Sequence, residues 1–105
     1  MPWGSAAYAE SRVGPREEVH HRARAYGADA RAMPLLIVNI SAQGMMARTD
    51  ADVPVGAWLR VALPVVGVVT AEVRWSLGGR IGCELDAPID HADYYELLAV
   101  LARSG

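Results

Sequence analysis

Residues 35–44 run Leu35-Leu36-Ile37-Val38-Asn39-Ile40-Ser41-Ala42-Gln43-Gly44. The first seven are strongly apolar and rich in β-branched side chains, which is a strand signal, and Gln43-Gly44 makes a tight turn into Met45-Met46-Ala47-Arg48. Strand side chains alternate between faces, so Leu36, Val38 and Ile40 are expected to share the core face. Asn39 and Ser41 then project together from the opposite face. The stretch therefore predicts a β-hairpin with a polar patch at its end.

The same period of two extends on both sides. Upstream, Val19, His21, Ala23 and Ala25 fall on one face and His20, Arg22, Arg24 and Tyr26 on the other, before a bend at Gly27-Ala28-Asp29. Downstream, residues 49–56 form a loop. Leu59, Val61 and Leu63 then alternate with Trp58, Arg60 and Ala62, and Pro64 ends that strand. In the β-rich run 65–75, Val69, Ala71, Val73 and Trp75 are expected to share a face. Gly78-Gly79 is a hairpin signal, and Arg80 to Leu85 returns as a strand. Only at the end does the period become helical: Asp90 is the expected N-cap, Asp93 favours the first turn, and Tyr94, Leu97, Leu98 and Leu101 form one apolar stripe. Five or six short antiparallel strands followed by one helix predict a mainly β fold, most economically a small closed barrel, with an open β-sandwich as the competing architecture. Residues 1 to about 16 have no sustained period and read as a flexible arm ending in Arg12-Val13-Gly14-Pro15-Arg16.

Composition narrows the function. The 105 residues suffice for one domain, and a formal net charge of -2 gives no basic field for duplex DNA or an anionic membrane. All ten basic residues are Arg, so every cationic site can make a planar, bidentate contact. Cys83 is the only cysteine, which rules out an internal disulfide and fits a reducing compartment. No apolar run reaches the roughly eighteen residues of a membrane span, and the first ten residues lack the pattern of a secretory signal. A cytoplasmic protein without membrane insertion is expected.

Catalytic and metal chemistry find little support. His20 and His21 are adjacent on a strand and point to opposite faces, so they cannot readily chelate one ion; no metal site is expected. Cys83 reads as a small buried hydrophobe, Glu17-Glu18 and Asp50 with Asp52 as solvated carboxylates, and Ser41 lacks a nucleophile-elbow context. The chain is not expected to be an enzyme.

Two motifs stand out together: Arg12-x-x-x-Arg16 immediately before the first strand, and Asn39-x-Ser41-x-x-Gly44 at the end of the next. With Val73-Arg74-Trp75 and the segment from Gly82 to Leu85, they resemble the PilZ family in order and spacing from Arg12 to about Asp90. The resemblance implies a six-stranded antiparallel split barrel with a C-terminal helix, residues 12–105 forming the domain and 1–11 the arm. It also implies a bacterial second-messenger receptor whose outer surface binds cyclic di-GMP through Arg12, Arg16, Asn39, Ser41 and Gly44, with no cofactor. Asn39 replaces the commoner Asp and keeps the acceptor without the charge; Leu85 stands where the family usually has Phe. Ligand chemistry agrees with these residue types. Cyclic di-GMP offers two phosphates, two guanine edges and two purine faces, and a guanidinium can pair with, clamp or stack on each of them. Asn39 and Ser41 can present hydrogen-bonding side chains from one strand face, and Gly44 leaves room for the ligand. Trp75 reads as core or rim packing, with stacking against a bound guanine as the alternative. Binding would order the arm and signal through contact with an unidentified protein effector. A non-binding adaptor of the same fold, working in motility or pilus assembly, is the second expectation. A barrel binding single-stranded nucleic acid is a third, disfavoured because the aromatics are few and scattered.

Overall fold

Six strands wind in the order β1-β2-β3-β6-β5-β4 and close into an antiparallel barrel, followed by one helix, in a computed structural model that describes residues 16–104. The strands are β1 (Glu17–Tyr26), β2 (Ala32–Ser41), β3 (Gly44–Arg48), β4 (Trp58–Leu63), β5 (Gly67–Leu77) and β6 (Arg80–Leu85); α1 spans His91–Ser104. The ring closes where Arg24, Ala25 and Tyr26 of β1 pair with Ala62, Val61 and Arg60 of β4, which decides for the barrel against the open sandwich. The expected arm, residues 1–11, and Arg12 lie outside the described residues.

The lumen is filled by inward side chains from every strand, among them Ala25, Ile37, Ile40, Met45, Val61, Val73, Ile81 and Cys83. In β1 and β4 the inward set follows the sequence pattern, with Ala25 and with Leu59, Val61 and Leu63 in the core. In β2 it does not. Leu35, Ile37 and Ile40 are buried, whereas Leu36 and Val38 are only half-buried. A bulge between Ile37 and Asn39 inserts an extra residue opposite β3 and switches the alternation midway along the strand. A second bulge, between Val73 and Trp75, does the same in β5 and carries Trp75 off the face shared by Ala71 and Val73.

β2 also starts earlier than its apolar run, at Ala32, and takes in Pro34. Pro34 lies beyond the end of β3, whose pairing with β2 stops at Leu36–Arg48, so its missing N–H forfeits no ladder bond on that side. The β5–β6 hairpin turns on Gly78 and Gly79, both at positive φ (62° and 80°), as a two-residue hairpin loop requires. At the C-terminal end, the Asp90 carboxylate accepts the Ala92 N–H at 3.2 Å and caps α1. The helix buries Tyr94, Leu97 and Leu101 against the barrel, with Leu98 partly buried beside them, as the stripe predicts.

Candidate functional site

The end of β2 and the start of β3 form one side of the outer wall. Ile40 and Met45 face each other inward, so their neighbours face out: Asn39 opposite Met46, and Ser41 opposite Gly44. The next strand extends both rows, with Gly82 beside Met46 and Glu84 beside Gly44. Trp75 pairs with Gly82 and Glu72 with Glu84. On the outward side of the sheet the residues thus fall in two adjacent rows, Asn39–Met46–Gly82–Trp75 and Ser41–Gly44–Glu84–Glu72, of which Ser41, Gly44 and Gly82 are buried.

Arg16, just before β1, reaches this surface. Its Nη1 donates to Asn39 Oδ1 at 2.7 Å, joining residues 23 apart in sequence. Of the residues singled out in sequence, Arg16, Asn39, Ser41 and Gly44 therefore meet on one side of the barrel. Asn39 and Ser41 do not present themselves equally. Asn39 is half-buried, while Ser41 is fully buried and its Oγ accepts the Gln43 N–H at 3.2 Å. That local bond shapes the turn, a habit of Ser at strand ends. The turn is held from below as well, since the Ala42 carbonyl accepts the Ile89 N–H and the Gln43 carbonyl accepts the Leu85 N–H. Gly44 is buried in the first position of β3 and is not among the residues at positive φ.

Beside these stand Trp75, read from the sequence as packing or as a guanine-stacking ring, and two features not read as site elements, the Arg74 ion pairs and the Tyr94 hydroxyl. The Trp75 indole lies flat over Gly82, so close that a Cβ on Gly82 would overlap Nε1 and Cε2. Its Nε1 is buried without a hydrogen-bond partner among the described residues. Arg74 bridges the neighbouring acidic row, its Nη1 standing 3.0 Å from Glu84 and 3.5 Å from Glu72. Tyr94 of α1 donates its hydroxyl to the Ile40 carbonyl at 3.1 Å, tying the helix to β2 between Asn39 and Ser41. The Tyr94 hydroxyl is held above its ordinary pKa by burial and then by the nearby charge of Glu17, opposed by Arg16. The signal for Trp75 was present as a Trp and a Gly on strands joined by a tight hairpin, but the bulge that aligns them was not.

Elsewhere, His20 is exposed and His21 half-buried on opposite faces of β1, and no group of three His, Cys, Asp or Glu among the described residues is placed to hold a metal ion. Cys83 points into the lumen, where burial pushes its thiol up to about 12. No described helix is long and apolar enough to cross a membrane.

These features define a small closed β-barrel with a cluster of polar groups on its outward side and a lumen filled by packing. The PilZ domain family profile matches residues 10–103, and the chain belongs to that family. PilZ domains are in general cyclic di-GMP-binding domains, and theirs is not a catalytic family. Comparison with curated proteins gives no match.

Proposed function

We propose that this domain is a cyclic di-GMP receptor whose site is the outer surface around Arg16, Asn39, Ser41 and Gly44, with Arg12 completing it. The observation that carries the reading is the Arg16–Asn39 hydrogen bond, which sets a guanidinium beside the polar end of β2. The bond is half-exposed and joins a charged donor to a neutral amide, so a doubly anionic ligand is a better partner for the same guanidinium. On binding, Arg16 exchanges the Asn39 carbonyl for a phosphate oxygen or the O6/N7 edge of a guanine. The freed Asn39 amide then turns both its donor and its acceptor to the ligand. Ser41 acts mainly through the turn it holds, and Gly44 leaves the space into which the ligand settles. Ordering the segment that carries Arg12 has an entropic cost and lowers the affinity relative to the contacts made. A protein effector then reads the reordered surface.

Titration calorimetry with cyclic di-GMP, using GTP and cyclic AMP as controls, tests the reading. Arg16→Ala and Arg12→Ala are each expected to weaken binding by about 1–3 kcal/mol, roughly tenfold to a hundredfold or slightly more, with folding intact. Unchanged affinity in both variants removes the two arginines from the site. Absence of binding by the parent domain leaves the non-binding adaptor as the reading.

A further inference from the structure

Away from that site, toward the other end of β1, β2 and β3, the outer wall is basic. Pairing places Arg22 beside Leu36, Leu36 beside Arg48, and Arg24 beside Pro34. With strands about 4.8 Å apart and same-face neighbours about 7 Å apart along a strand, Arg22 and Arg48 stand roughly 10 Å apart at their Cα atoms, with Arg24 one step away. All three arginines are exposed, and none forms an ion pair with a described residue. Two shallow depressions, of about 570 and 300 Å³, meet at Arg22 and Pro34. Met33, Pro34 and Leu36 supply the apolar lining, the three arginines supply the charged walls, and Asp50 lines one depression without pairing with any of them.

We propose that this groove on β1–β3 is a docking surface for an acidic protein segment that carries apolar side chains between its carboxylates. Charge selects the sign of the partner: three guanidinium groups held close together repel one another, and carboxylates relieve that repulsion while gaining forked hydrogen bonds. The spacing selects an extended segment, because side chains two apart on such a chain are about 7 Å apart and alternate ones point the other way. Carboxylates then reach the arginine walls while apolar groups settle toward Pro34 and Leu36. The lining argues against a nucleic acid strand, which binds through aromatic stacking platforms in a basic groove: no described residue lining either depression is aromatic, and the chain as a whole is acidic. The surface uses none of the residues assigned to cyclic di-GMP, so it stands whether or not that ligand binds.

The test is fluorescence anisotropy on the full chain with a short labelled peptide of alternating glutamate and leucine. A lysine–leucine peptide and an oligothymidylate serve as controls. The acidic peptide is expected to bind at low salt and to weaken as salt is raised. Reversing both charges, Arg22→Glu with Arg48→Glu, is expected to weaken it by on the order of tenfold or more, since two attractions become repulsions. The neutral pair Arg22→Gln with Arg48→Gln is expected to lose less in the same direction, and cyclic di-GMP titration of both double variants to match the parent. The proposal is overturned if the acidic peptide fails to bind, if the charge-reversed variant binds it as well as the parent, or if oligothymidylate binds more tightly.

Discussion

Replacing Gly82 by Ala adds one methyl group and should unsettle the whole outer wall. Gly82 is not at positive φ, so its backbone accepts alanine and the effect is steric. The added Cβ would overlap Nε1 and Cε2 of the Trp75 ring and lie 2.8 Å from Cδ1, where carbon atoms ordinarily stand about 3.5–4.0 Å apart. The ring must lift by about an ångström, or β5 and β6 must part. Overpacking of this kind costs about 1–3 kcal/mol, while the reduced freedom of the unfolded chain returns roughly 0.4–1 kcal/mol. The steric term wins, leaving a net loss on the order of 1–2 kcal/mol, which at about 4–8 °C per kcal/mol for a domain of this size lowers the melting temperature by on the order of 10 °C. Scanning calorimetry measures it directly. A second arm isolates the cause: in a Trp75→Leu background the same Gly82→Ala change should cost far less, because the ring it strikes is gone. If Gly82→Ala melts with the parent, or costs as much without Trp75 as with it, the indole does not rest on β6 as described.

Tyr94→Phe removes the hydroxyl that donates to the Ile40 carbonyl and should cost about 0.5–1.5 kcal/mol in denaturant unfolding. Because the Tyr94 pKa is raised in the folded state, its contribution is fully present below the ordinary value of 10.0 and is lost as pH rises through the folded value. A stability profile above pH 10 should therefore fall less steeply in Tyr94→Phe than in the parent. Cys83, buried and pushed up to about 12, should resist iodoacetamide at neutral pH in the folded domain and react promptly once denaturant is added. Rapid alkylation of the folded protein would contradict the burial.

The elements themselves were legible because period and punctuation agree: alternation through β1 and β4, two glycines at the β5–β6 hairpin, and a capped apolar stripe in α1. What the pattern missed was where the alternation switches. Val38 is as apolar and β-branched as Ile37, so nothing in the residues says which of them leaves the core; the pairing of β2 with β3 decides it. The same holds at Trp75, an apolar ring that reads as interior until the β5 bulge sends it out to cover Gly82. At the candidate site, the motif order brings Arg16 toward the end of β2, and Arg16 does hydrogen-bond Asn39. The unequal exposure of Asn39 and Ser41 was not readable, because the side chain of Ser41 is spent on its own turn. Nor could the arginine groove be seen, since Arg22 and Arg48 become neighbours only through the register of two strand pairs.

Closure of the ring has a bearing on how another protein can take hold of this domain. Many small β domains recruit partners by lending an unpaired strand edge, where main-chain bonds supply affinity almost regardless of sequence. Here β2, β3, β5 and β6 each have a neighbour on both sides, β1 is joined to β4 at Arg24–Tyr26, and α1 packs against β1. Among the described residues, the longest stretch of strand without a strand neighbour on one side is β1 before Arg24, and α1 packs against that strand. Recognition must then pass through side chains standing on the wall, so substitution of a few of them can retune the choice of partner while the scaffold beneath stays the same.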